Sequence, residues 1–254
     1  GQMAAIRDLN RNLEFRKAIK HAIDGKAFAK AMSKGPFVSV YAGGIARDSA
    51  FFDADATSFF PYNPAGANAL LDGLGLMDTD GNGIRNLANG GGDLVINLVQ
   101  NKDSENEKLI GDGLATMMAE VGIKLNLKPM EDTEPTRQSG EWDWAISRAQ
   151  QEFAFPNSGY WSEMGPVTTS SFDPHMGSDE HPQQFQPFEK EIVSILEQWR
   201  DGVEGAEAQA LMSRYQKLFT ENVYMPGIVQ YPTALLINKR IQNLADGMPV
   251  LAYQ

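Results

Sequence analysis

The chain has 254 residues, 42% of them apolar, a formal charge of −11 and no cysteine, with an isoelectric point near 4.8. That length and apolar content suffice to bury one large core or two small ones, while the lack of cysteine rules out disulfides, thiolate metal sites and cysteine nucleophiles. The acidic balance argues against nucleic acid or an anionic membrane surface as a partner, since either needs a basic patch, and no apolar run reaches the roughly 18 residues of a membrane span.

No charged-then-apolar leader precedes Gly1-Gln2-Met3, and the chain runs almost at once into a helix, which predicts a mature or excised chain whose start has been removed. From Asn12 onward Phe15, Ala18, Ile19, Ala22 and Ile23 recur at helical spacing. Asp24 then reads as the N-cap of a second helix carrying Ala27, Phe28, Ala31 and Met32, which Gly35-Pro36 stops. Residues Phe37 to Tyr62 mix glycine, aromatics and aspartate without a period and predict a long ordered loop with a short strand; loops of this length usually serve function. Asn63-Pro64 is a cap followed by a first-turn proline, and Ala67, Leu70, Leu71 and Leu74 are the buried stripe of a helix ended by Gly75.

Past a polar Asp/Gly/Asn loop, Leu94 to Val99 reads as a buried strand, Ser104 with Glu107 as a capping box, and Leu109 to Val121 as an amphipathic helix closed by Gly122. Ile123, Leu125 and Leu127 alternate with polar residues in a half-exposed strand, a short polar helix comes next at Asp132 to Ser139, and Trp142 to Ser147 is a further strand. This β-α-β-α-β run favours a mainly parallel sheet covered by helices. Gln150 to Pro187 is a second long irregular segment, after which two helices centred on Ile192 to Trp199 and Leu211 to Asn222 lead to a strand at Ile228 to Ile237. No polar linker divides the chain, so residues 1–254 are expected to form one domain.

Three stretches, FRKAIKHAID (Phe15 to Asp24), NPAGANALLDGLGL followed by DTDGNGIR (Asn63 to Arg85), and YPTALLINKRIQNL (Tyr231 to Leu244), stand in an order and spacing that resemble the C-terminal lobe of extracytoplasmic solute-binding proteins of the oligopeptide and dipeptide class, family 5. The resemblance implies an α/β fold, the C-terminal lobe of a type II periplasmic-binding-protein fold with a mainly parallel sheet flanked by helices. It implies capture of a small solute, a peptide or something similar, between this lobe and N-terminal lobes elsewhere in the same protein. Delivery would be to the membrane permease of an ABC importer, in the periplasm or another extracytoplasmic space. No catalysis and no cofactor are implied.

Peptide-binding members carry a Gly-Trp-x-x-Asp segment after the strand matched here by Trp144 to Ser147, and its aspartate receives the peptide's α-ammonium group. Glu152 occupies that position, with Arg148 and Ala149 in place of the glycine and tryptophan. A carboxylate there would hold a cation or sugar hydroxyls through charge-assisted hydrogen bonds, or it is a solvated surface acid. Phe153, Phe155, Tyr160 and Trp161 come shortly after and suit either a partly apolar ligand cleft or the core. Arg148 would bind a ligand carboxylate, or pair with Glu152 or Asp143.

Two other chemistries compete. Asp78, Asp80 and Asn82 with Gly83 open like a calcium loop, but the twelfth position is Asn89 rather than glutamate and the apolar residue comes one place early as Ile84. The alternatives are a calcium-dependent structural or adhesion module, or a turn whose side chains bond their own backbone. His175, Asp179, Glu180 and His181 present zinc- or manganese-type donors at poor spacing, without any hydrolase or nucleotide-binding motif. His21 beside Ala22 and Ile23 reads as a structural histidine.

Overall fold

Asn12 starts the helix that organises the fold: its side-chain oxygen accepts the backbone N–H groups of Glu14 and Phe15 at 2.9 and 3.3 Å, satisfying donors that the first helical turn leaves free. The helix runs Leu13–Ala22 (α2) and is preceded by a second one, Gln2–Arg11 (α1), that the periodicity does not separate from it. Asp24 repeats the device on Lys26 and Ala27, both at 3.0 Å, and starts Gly25–Met32 (α3). The computed structural model describes residues 2–33, 35, 37–139, 142–146, 164–166, 184–231 and 240.

A two-residue strand, Ser39–Val40 (β1), opens the long loop, which ends where Asn63 caps Pro64–Gly73 (α4). Gly75 takes φ +74° just beyond it, a left-handed conformation that glycine adopts without penalty. The strand Val95–Asn101 (β2), the helix Glu105–Glu120 (α5) and the strand Lys124–Met130 (β3) come next. A six-residue helix, Glu134–Ser139 (α6), precedes the strand Trp144–Ala145 (β4). The three strands form one parallel sheet, which the β-α-β-α-β pattern favours, and their order is β3-β2-β4. The capping box is half built: Glu107 N–H donates to Ser104 Oγ at 3.2 Å, but the Glu107 carboxylate accepts from Asn101 N–H at 2.7 Å and so ties the helix start to the end of β2.

The helices Pro187–Arg200 (α7) and Gly205–Glu221 (α8) lead to Val229–Gln230 (β5). β5 does not extend the parallel sheet; it pairs antiparallel with β1, Ser39 opposite Gln230 and Val40 opposite Val229.

Buried apolar residues fall into two clusters. The first packs Phe15, Ala18, Ala67, Leu71, Ile96, Leu98, Met118 and Ile123 between α2, α4, α5 and one face of the sheet. The second packs Ile45, Ile192, Leu196, Met212, Tyr215 and Phe219 around α7 and α8. Basic residues join them. Arg11 donates to Gln184 O at 2.8 Å, Arg16 Nε donates to Asn222 O at 2.8 Å, and the Arg16 guanidinium lies 5.6 Å from the Phe188 ring centroid.

Candidate ligand-binding face

Parallel strands bring their carboxyl ends to one edge of a sheet, where open α/β folds take ligands. Here β2, β3 and β4 end at Asn101, Met130 and Ala145, and Arg148 follows β4 in the sequence. Arg148, Glu152, Phe153, Phe155, Tyr160 and Trp161 lie outside the described residues, as do His175, Asp179, Glu180 and His181. The root of that segment is fixed by polar contacts. Asp143 Oδ2 accepts from the Asn97 backbone and side-chain amides at 2.8 and 2.9 Å, and Asn97 Oδ1 in turn accepts from Asn126 Nδ2 at 2.9 Å. Trp144 Nε1 donates to Asn10 Oδ1 at 2.9 Å, and Ile146 N–H to Val99 O at 3.1 Å. A strand held this firmly fixes the point from which the next residues of the chain depart.

The loop between β1 and α4 is ordered from below by α8. Gln216, fully buried, accepts Ile45 N–H at 2.6 Å through Oε1 and donates through Nε2 to Gly43 O at 3.3 Å and Thr57 Oγ1 at 3.1 Å. One turn on, Thr220 Oγ1 accepts Ser58 N–H at 3.0 Å. Gly43 and Gly44 take φ of +110° and +73° beneath this clamp, and a side chain at Gly44 would collide with the Gln216 amide. Phe51 and Phe52 pack on the second cluster, Phe51 edge-on to Trp199 at 4.8 Å. Asp53 caps its own turn, its carboxyl held below the usual range by Ser213 and then by the Ala56 N–H.

Lys20, only 5% exposed, reaches from α2 to the base of the same loop. Its Nζ donates to Tyr41 O at 3.1 Å and to Gly227 O. Burial pushes its pKa down to about 8, because a low-polarity surrounding disfavours the charged form. Tyr41 N–H donates to Ile228 O at 3.2 Å, so the lysine and the β1–β5 pair lock the two chain segments together. His21, next to it, sets Nδ1 2.8 Å from Pro61 O and its ring edge-on to Phe60 at 5.6 Å, the structural role its sequence neighbours indicate. Sequence reasoning singles out neither Lys20 nor Gln216. The signal available is Arg16 and Lys20 at i and i+4 on a helix whose other face is apolar, which marks a second packed face.

In the Asp78 loop the acidic oxygens face backbone donors of the loop itself. Asp78 accepts Gly81 N–H at 2.8 Å and Gly83 N–H at 2.9 Å, Asp80 accepts Asn82 N–H at 3.2 Å, and Asn82 Oδ1 accepts Ile84 N–H at 2.7 Å. The bond from Gly83 first, and then the one from Gly81, hold the Asp78 carboxyl below its usual range. Asn82 and Asn86 both donate to Asp93 Oδ1 at 3.2 Å, closing the loop on the approach to β2.

Comparison with known proteins matches residues 5–170 to the family described as bacterial extracellular solute-binding proteins, family 5 Middle. The chain belongs to that family. A curated relative, the periplasmic alpha-galactoside-binding protein of Rhizobium meliloti (strain 1021), is 35% identical over 256 residues, covering 98% of this chain and 36% of its own length. Among solved structures, the periplasmic binding protein MelB of Agrobacterium fabrum C58 in complex with stachyose is 32% identical with a TM-score of 0.84, over 91% of this chain and 35% of that one. The oligopeptide-binding protein AppA of Bacillus subtilis in complex with a nonapeptide shares the fold at 16% identity and TM-score 0.69, over 89% and 42%. Family membership makes this an extracytoplasmic α/β binding-protein chain of the type II fold, and it spans about a third of the length of the relatives it matches.

Proposed function

We propose that this chain is the C-terminal lobe of a receptor that captures a neutral oligosaccharide of the α-galactoside type and hands it to the permease of an ABC importer. The observation that carries the reading is the split in similarity. Two relatives above 30% identity are an alpha-galactoside-binding protein and a stachyose complex, whereas two oligopeptide-binding proteins of the same fold lie at 16% and 18% and share the fold alone. Arg148 and Ala149, where peptide binders have glycine and tryptophan, fit a site that has left peptide recognition. Glu152 would then accept sugar hydroxyls rather than an ammonium group, and the aromatics from Phe153 to Trp161 would supply flat apolar faces for pyranose rings.

Residues 1–254 act as one lobe in this reading, their two clusters tied by Arg11, Arg16 and Lys20, and the sugar is closed between this lobe and the remainder of the protein. Closure is driven by the sugar's higher affinity for the closed form; no bond in the sugar is made or broken. Thermal denaturation of the full-length protein tests it, because a ligand of the native state raises the midpoint by mass action. Melibiose, raffinose or stachyose should raise it and di- to pentapeptides should not. A peptide-only shift lost in Glu152→Ala would replace the sugar by a peptide held at its ammonium group. Calcium added alone decides in the same experiment whether the Asp78 loop takes a cation.

A further inference from the structure

The loop between β1 and α4 turns two adjacent aromatics in opposite senses. Phe60 is held against α2 by His21, while Phe59 stands outward, 47% exposed. Arg47 crosses the loop to lie over the Phe59 ring, its guanidinium carbon 5.3 Å from the ring centroid. The Arg47 backbone N–H donates to Gln230 Oε1 at 3.2 Å, and Gln230 Nε2 donates to Asp48 Oδ1 at 2.8 Å. Gln230 belongs to β5 and faces Ser39 across the ribbon. Five residues are thereby linked: Arg47 lies over the Phe59 ring, Gln230 joins the Arg47 backbone to the Asp48 carboxylate, and Ser39 stands opposite Gln230 in the ribbon.

Two features separate this surface from a random exposed phenylalanine. It is rigid before any ligand arrives, since Gln216, Thr220 and Thr57 hold the loop from within; a preordered site avoids the entropy of ordering on binding. It is also balanced in charge, with one base and one acid beside neutral donors and acceptors. Such a surface matches a neutral polyol with an apolar face better than an ion. A pyranose ring has that form, with C–H groups on one face and hydroxyls around its rim.

We propose that Phe59, with Arg47, Asp48, Gln230 and Ser39, is a sugar subsite on this lobe, built from other residues than those of the segment after β4. Phe59 carries the C–H face of a hexopyranose, and the polar side chains bond its hydroxyls. This rests on the oligosaccharide reading above. The test is titration calorimetry of the full-length protein with stachyose, comparing the parent with Phe59→Ala, Phe59→Trp and Met77→Ala, the last an equally exposed apolar residue on the loop after α4.

Loss of one stacking ring should weaken binding by roughly tenfold, while tryptophan retains affinity, Met77→Ala binds as the parent does, and all the variants unfold at the parental temperature. Parental stachyose affinity in Phe59→Ala, or an equal loss in Met77→Ala, overturns the subsite and leaves the oligosaccharide reading intact. A parent that binds no galactoside removes both.

Discussion

Lys20 gives the structure a pH dependence whose sign and window can be stated in advance. A lysine with a pKa of about 8 in the folded chain and about 10.4 in the unfolded one is protonated in both states below the lower value, so its full desolvation cost is present there. Between the two values the unfolded chain binds more protons than the folded one, and stability therefore rises with pH. At about 1.36 kcal/mol per pKa unit the whole window is worth about 3 kcal/mol, of which about 2 kcal/mol falls between about pH 7.5 and 9.5. Buried Tyr215, its hydroxyl pushed well above the usual range by burial, acts in the opposite direction above about pH 10, so the measurement stops short of that. Urea denaturation at about pH 7.5, 8.5 and 9.5 should show the parent's midpoint rising relative to Lys20→Met, by roughly 1 M across the range for a slope near 2 kcal/mol/M. Parallel profiles for parent and variant would refute the assignment of a depressed pKa to this lysine, whatever the absolute stability of the variant.

Arg85→Ala should cost about 3 kcal/mol in urea, because the buried guanidinium donates to Val121 O at 2.7 Å, to Asn68 Oδ1 at 2.7 Å and to Leu76 O, acceptors that would be left without it. Asp72→Asn, removing the half-exposed end of the 2.6 Å ion pair, should cost under about 1 kcal/mol. Gly122→Ala combines φ +77° with a Cβ placed 2.9 Å from Arg85 Cγ and should lower stability by at least about 1 kcal/mol; an unchanged urea midpoint would contradict it. Gln216→Leu leaves Ile45 N–H, Gly43 O and Thr57 Oγ1 without their partner, and limited proteolysis should find a new cut between residues 41 and 62. Stachyose should bind the isolated 254-residue chain at least about 100-fold more weakly than the full-length protein in calorimetry, because part of the closing surface is missing; equal affinity would place the whole site on this lobe.

The helices from α2 onward and the parallel pairing of β2, β3 and β4 were legible because their causes are local. Asn12, Asp24, Asn63 and Ser104 accept backbone N–H groups two or three residues away, and apolar periodicity marks the faces that pack, so a reading within about fifteen residues finds them. The family was legible for the same reason, as a series of such local signatures in a set order. The candidate site was only partly so. Residues from Arg148 to Trp161 are marked by position after β4, and they lie outside the described residues.

Tertiary structure alone decided where polar groups go when the chain closes on itself. Gln216 serves Ile45 across 171 residues, Lys20 serves Gly227 across 207, and β5 joins β1 rather than the sheet. Nothing near these residues in sequence signals the partner, since each is an ordinary polar side chain on an amphipathic helix or a short strand. Burial forces each donor and acceptor to find the one group within reach, and only the folded chain determines which group that is. The same holds for Phe59: its neighbours predict an aromatic loop, while the clamp from α8 and the inward turn of Phe60 make it an outward-facing ring.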